Sequence, residues 1–341
     1  MSVILGIGMT CAIGDDTAAL GRDRADVART GAFTNKHIAE TPFVQGVLED
    51  AEARNALDLA LAACLQAIAD SGLDPATDRI AVIVATGAGD TGALEARSPE
   101  ALPYDLVQDL ADALGCRGVL LTVATACSSA SYGVSLAADL LEQGHDPVLL
   151  CGVEAKSDSS QFTFKALLAL DHVGCFPFSE QRRGTVLGAG AAALMLSRNV
   201  PPGGRAYGTI ASVSLTCDAH HDTAPDPDGH ALRRGMRVAL ERAGCGTADI
   251  DLFLPHATGT RLNDEIEHRL LSEEFGEHFE AGQVMLLKGH IGHTCGASSA
   301  FSMIAAAIAL QAGAAGAALI GASAFGGNNA AVVMKGPEVA A

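Results

Sequence analysis

The sequence predicts an α/β fold assembled from two copies of one unit, and three observations carry this. Short apolar runs alternate with longer segments of helical period along the 341 residues. Two distant segments repeat one another: TACSSASYGVSLAADLLEQG (125–144) and HTCGASSAFSMIAAAIALQAG (293–313) each run from small residues into a helix ending near glycine. Each is followed by an apolar strand, VLLCGVEA or AALIGASAF, and a repeat this long is not a solenoid period. Composition agrees: 49% of residues are hydrophobic but only 4% aromatic, so a large core comes mostly from Ala, Val, Leu and Ile, and 38 glycines suit tight strand–helix turns.

The elements follow in order. VILGIGM (3–9) reads as a strand, and ALDLALAACLQAIADSG (56–72) as a helix with Leu57, Leu61, Cys64 and Ile68 on its buried face and Gly72 as its stop. IAVIVATG (80–87) is a buried strand, DLVQDLADALG (105–115) a helix, VLLTVAT (119–125) a strand and SASYGVSLAADLLEQG (129–144) a helix. PVLLCGVEA (147–155) and GAAALMLS (190–197) are strands. RNVPPGGR (198–205) is a turn, placing one half at 1–200 and the other at 201–341. The second half opens with the strand RAYGTIASVSL and continues with the helix GMRVALERAG and the strands DIDLFLPHA and VMLLKGHIG. This βαβ rhythm implies a sheet covered by helices on both faces.

Several function classes are disfavoured. A formal net charge of −18 argues against nucleic acid or an anionic membrane as partner. No uninterrupted apolar run of about 20 residues predicts a membrane span, and the N-terminus MSVILGIGMTCAIGDD lacks the basic flank of a signal peptide. Nine irregularly spaced cysteines fit reduced thiols of a cytoplasmic protein, and Cys127 and Cys295 lie far from any CxxC pair, so no metal site is expected. The GIGMTC stretch fails the dinucleotide fingerprint, because Cys11 stands where a third glycine is needed.

Three motifs sit at predicted C-terminal strand ends, where α/β sheets place ligand sites. In LTVATACSSASYG, Cys127 ends a strand and starts a helix whose free N–H groups favour a thiolate; taken alone, however, the stretch fits a buried core thiol better. In PHATGTRLND, His256 ends a strand, Thr258 and Thr260 offer hydroxyls, and Asn263 and Asp264 are expected to cap the next helix. In KGHIGHTCGASS, Lys288, His290 and His293 lie in a glycine-punctuated loop, and a neutral histidine there can donate to a developing oxyanion.

Together these motifs resemble the β-ketoacyl-acyl-carrier-protein synthases of the I/II type, in the thiolase-like superfamily, of which this chain looks like a short, divergent member. ATACSSA is similar to the family's nucleophile segment, HATGTRLND to its first histidine motif and KGHIGHTCGA to its lysine and second histidine. DAHHDTAPDPDG, FPFSEQRRGTVLGAG and AFGGNNAAVV match further blocks in order. The resemblance implies a duplicated, five-layered αβαβα fold. It implies that Cys127 attacks an acyl thioester, with the oxyanion held by the N–H groups of Cys127 and Phe325. His256 and His293 would stabilise the enolate left by decarboxylation of a malonyl thioester. Thr258, Thr260 and Thr223 would bind the pantetheine arm, and Phe164 and Phe325 would line the acyl pocket. The implied partners are acyl carrier protein or coenzyme A thioesters and a second subunit, in a homodimer or a heterodimer with another ketosynthase-like chain. No cofactor beyond the substrate's own pantetheine is implied.

The chain departs from the family in three ways. Ser302 stands where a glutamate usually accompanies the lysine, and Ala189 replaces the glutamate of GEGAG. Segments 89–121 and 170–177 are short, which suggests a smaller or more open pocket. The basic residues that dock an acidic carrier are sparse: Arg54 is alone in EDAEARNALD, and Leu168 occupies a common arginine position. Arg233, Arg234, Arg237 and Arg261 are candidates for a compensating patch, or else a solvated helix face. These departures keep open an acyltransferase that passes the acyl group to another acceptor, and a non-catalytic partner subunit of the chain-length-factor kind, although Cys127 argues against the latter.

Overall fold

A computed structural model of the chain describes residues 1–11, 55–95, 102 and 104–337. The turn after Cys11, Arg54 and part of the shortened segment 89–121 lie outside these residues. The strands are β1 (Ser2–Cys11), β2 (Ala81–Ala85), β3 (Leu120–Val123), β4 (Val148–Glu154) and β5 (Gly190–Ser197), then β6 (Thr209–Cys217), β7 (Leu252–Leu254), β8 (Gln283–Val284), β9 (Ala317–Ser323) and β10 (Asn328–Lys335). The sheet order is β3-β2-β4-β5-β1-β6-β10-β9-β7-β8. Read inward from either edge, the two sets of five have the same order. In each, the strands nearest the edge are parallel and the two nearest the centre antiparallel. The central strands of the two sets pair briefly, Ser2 opposite Ile210 and Val3 opposite Thr209.

The longer helices are α1 (Ala56–Ser71), α2 (Leu106–Leu114), α3 (Ser129–Glu142), α4 (Asp158–Ala166), α5 (His230–Ala243), α6 (Arg261–Phe275) and α7 (Ser298–Gln311). One core packs α1 and α2 against the outer face of the first sheet. A second places α3 and α7 between the two sheets, and a third packs α5 and α6 on the outer face of the second. The result is the five-layered arrangement expected. Phe301 of α7 is fully buried in the middle layer. Phe301→Ala is expected to destabilise the protein by about 3–5 kcal/mol through lost burial and a residual cavity, read as a lower denaturant midpoint.

Two expectations need correction. The buried face of α1 consists of Ala56, Leu59, Ala60, Ala63, Cys64, Ala67 and Ile68, with Leu57 and Leu61 only half-buried. The reason is close helix–strand packing: a Cβ on Gly6 would lie 2.2 Å from the Ala67 carbonyl oxygen, and one on Gly8 2.1 Å from that of Ala63. The glycines of GIGM therefore let a small-residue helix face lie directly on β1. The predicted strand VMLLKGHIG ends at Val284, and Lys288–Ile291 is a helical turn. The Gly289 and His290 N–H groups bond back to the carbonyls of Leu286 and Leu287, taking the chain off the sheet edge.

Candidate active site

The two repeats meet at their strand-to-helix junctions. After β3 the chain makes a tight turn at Ala126–Ser128 before α3, and its counterpart at Cys295–Ala297 precedes α7. Ala126 (φ 51°) and Cys295 (φ 36°) hold corresponding left-handed positions. The first turn presents Cys127. His293 lies just before the second, with Nε2 3.1 Å from Cys127 Sγ and Nδ1 3.0 Å from Ser298 Oγ. Cys127 lies at the N-terminal end of the turn–α3 segment, and Phe325 opens the tight turn after β9, so the N–H group of each lies where helices leave donors free.

His256 follows β7, and its ring stands 5.4 Å from that of His293, nearly perpendicular. Lys288 lies behind it: Nζ bonds the His256 carbonyl oxygen and lies 3.4 Å from His256 Nδ1. A lysine ammonium only donates, so Nδ1 is the acceptor and Nε2 carries the ring proton. Burial, then the charges of Lys288 and His293, hold His256 well below the usual histidine range, which keeps it a neutral donor. Burial also lowers Lys288, with Glu267 the strongest opposing charge. Ser302 makes no substitute for the absent glutamate, since its hydroxyl bonds the Ser298 carbonyl one turn back in α7.

The Cys295 thiol, then the charge and hydrogen bond of His293 and the charge of Lys288, pull Cys127 well below the ordinary thiol range against desolvation. The same neighbour and burial push Cys295 well above it. The two sulfurs, shifted in opposite directions, lie together beside His293.

Contrary to the expectation from the sequence, neither Asp264 nor Asn263 caps α6. Thr260 holds the cap position, and the Asp264 carboxylate turns back to accept the N–H groups of Thr258, Gly259 and Phe178. It thereby shapes the loop that aligns the Thr258 and Thr260 hydroxyls 2.8 Å apart. Glu267, one turn on, accepts the His256 and Ala257 N–H groups at 2.6 and 2.7 Å. Glu154, at the end of β4, accepts those of Gly87 and Gly296 and so anchors the Cys295 turn. Sequence reasoning missed Cys295, Glu154 and Glu267; the one signal was the spacing of Glu267, which places it one turn beyond Asp264 on the same helix.

Burial pushes Glu267 up to about 7, with its two N–H donors opposing. Glu154 is pushed up to about 7 for the same reason. A raised folded pKa means the folded state holds the proton more tightly than the unfolded chain does. The associated stability is fully present below the unfolded pKa and is lost as pH rises through the folded one. The unfolding temperature is therefore expected to carry a downward component between about pH 5 and 7, on the order of 3 kcal/mol for Glu267 alone. In Glu267→Gln, thermal denaturation across that window should give a flatter slope.

Cys127, His256, His293, Phe325, Thr258, Thr260, Thr223 and Phe164 all line one cavity of about 360 Å³. Lys288 supports it from behind. The Phe164 ring lies edge-on to His293 at 5.9 Å and 5.5 Å from Phe325, forming one wall. Phe164 is carried by α4, a helix unassigned from the sequence, whose Ser157 cap accepts the Ser160 N–H. At the rim, Leu168 is 87% exposed in a left-handed conformation (φ 54°). The candidate basic patch is largely neutralised: Arg233 pairs with Glu273 and Glu274, and Arg237 with Glu274, because α5 and α6 lie side by side. Arg261 instead lines the cavity with Arg183.

The buried Cys127 thiol and the two histidines thus converge at the junction of a duplicated α/β fold, as the sequence motifs predict. The β-ketoacyl synthase N-terminal domain profile matches residues 13–200 and the C-terminal domain profile residues 207–319, so the chain belongs to the β-ketoacyl synthase family. It is 34% identical over 222 residues to nodulation protein E of Rhizobium meliloti, covering 63% of this chain and 54% of that relative. The chain thus spans about half the length of this curated relative. It is 27% identical over 363 aligned positions to the tetracenomycin polyketide synthase ketoacyl synthase alpha subunit of Streptomyces glaucescens, covering 91% and 85%. Its fold matches a ketosynthase solved with its chain length factor from Xenorhabdus doucetiae, with a TM-score of 0.80, 23% identity and 98% of each chain covered.

Proposed function

We propose that the chain is a cytoplasmic ketosynthase that forms an acyl-Cys127 intermediate and condenses it with a malonyl thioester in a fatty-acid-like or polyketide pathway. The observation that carries this reading is the convergence of Cys127 Sγ on His293 Nε2 at 3.1 Å, with neutral His256 across the same cavity. The thiolate attacks the acyl thioester carbonyl, and the Cys127 and Phe325 N–H groups hold the oxyanion until the pantetheine thiolate leaves. A malonyl thioester then enters along Thr258, Thr260 and Thr223. The two histidine Nε2–H groups bond its thioester carbonyl, so carbon dioxide departs into a stabilised enolate, whose carbon attacks the acyl group and frees Cys127. The reaction needs no cofactor beyond the substrate's pantetheine arm.

Both histidines and the support behind His256 favour condensation over transfer to another acceptor, because acyl transfer alone does not need an enolate site. Relatives named as an alpha subunit and as a ketosynthase with its chain length factor support a dimer with a similar chain. With Arg233 and Arg237 neutralised, Arg261 and Arg183 at the mouth are the cations we assign to the carrier's phosphopantetheine. The test is to mix the protein with acyl and malonyl thioesters of carrier protein or coenzyme A, following intact mass and released carbon dioxide. An acyl adduct with malonyl-dependent carbon dioxide and a 3-ketoacyl product is the expected result. An adduct without decarboxylation would make it an acyltransferase instead.

A further inference from the structure

We propose that Cys127 and Cys295 form a site of reversible oxidation, in which a peroxide converts the nucleophile to a sulfenic acid and Cys295 traps it as a disulfide. Cys127 Sγ, Cys295 Sγ and a ring nitrogen of His293 lie within 4.8 Å of one another. The two cysteines share a small buried cluster with Phe164. The turn itself does not require a thiol at 295, because its counterpart in the other repeat, Ala126, takes the same left-handed conformation. Cys127 opens onto a cavity of about 360 Å³, ample for a peroxide molecule. Cys295 does not line that cavity; it faces a separate small pocket with Glu154 and Leu187 and is anchored through Gly296 to Glu154. Forming the bond requires the two side chains to rotate until the sulfurs are about 2 Å apart.

The chemistry balances. The Cys127 thiolate attacks one peroxide oxygen and the O–O bond breaks. The sulfur is oxidised by two electrons to the sulfenic acid, and the departing hydroxide is protonated to water. Cys295 then loses its proton and its sulfur attacks Cys127 sulfur. The S–O bond breaks and hydroxide leaves as a second water, with His293 placed to carry the proton. Two thiols and one peroxide give one disulfide and two waters, and a dithiol reductant reverses the bond by exchange. Trapping by Cys295 stops the nucleophile before the irreversible sulfinic and sulfonic stages. Cys64 and Cys151 are also neighbours, but both lie fully buried in the outer core and neither lines the cavity that Cys127 opens onto, so they serve as an internal control.

The experiment exposes the reduced, full-length protein to hydrogen peroxide, blocks remaining thiols by alkylation and maps peptides without reduction. In wild type, the Cys127 and Cys295 peptides are expected to be joined, with Cys64 and Cys151 alkylated on denaturation. Cys127 should lose its reactivity toward a thioester or alkylating agent and recover to about its starting level with dithiothreitol. In Cys295→Ser, Cys127 should instead gain two or three oxygen atoms and stay inactive after the same reduction. Wild-type Cys127 carrying those oxygens with no joined peptide, or equal recovery in wild type and variant, would overturn the proposal. The readout is the chemical state of Cys127, so failure of malonyl condensation would leave this test unaffected.

Discussion

Cys127→Ala is expected to abolish the acyl adduct and to lower condensation on the order of ten-thousand-fold or more, because the covalent step has no substitute nucleophile. Cys295 is close to Cys127, but it is buried and does not line the cavity that Cys127 opens onto. Intact mass after incubation with an acyl thioester reads the result directly. An adduct that persists at wild-type yield in Cys127→Ala would remove Cys127 from the nucleophile's role.

The second large effect separates the two histidines. His256→Ala should leave acylation nearly intact but slow malonyl decarboxylation by roughly 100–1,000-fold, the loss typical of one oxyanion donor. His293→Ala should slow decarboxylation similarly and acylation as well, because its Nε2 is the atom at 3.1 Å from Cys127 Sγ. Single-turnover acylation followed by mass, beside carbon dioxide release, distinguishes the steps. Wild-type carbon dioxide release from His256→Ala would show that the enolate is held by other groups.

The duplicated frame and the convergence of Cys127, His256 and His293 were legible because strand-end motifs recur at corresponding places in two halves, and a shared sheet order brings them together. Other features were not. The α1 face misled because Ala and Leu are equally apolar in a periodicity count, while only close approach to Gly6 and Gly8 selects the alanines. VMLLKGHIG has the composition of a strand, but its helical turn is set by local backbone bonds that no side-chain pattern announces. Glu154 and Glu267 are tertiary partners whose role depends on which backbone N–H groups arrive beside them. Cys295 gains meaning only from Cys127, far away in sequence and adjacent in space.

The near separation of the two sheets has a consequence for how the chain is made. Strands β1 to β5 lie entirely within residues 2–197, so the first half can close its own sheet before the second has left the ribosome. Helix α3, however, is covered on its far side by α7 and the second set of strands, which are synthesised after it. At ordinary elongation speeds the nascent protein presents that bare apolar flank for roughly 10–30 seconds. During this interval Cys127, not yet covered by His293 and Cys295, remains an unshielded thiol until those later segments emerge and pack.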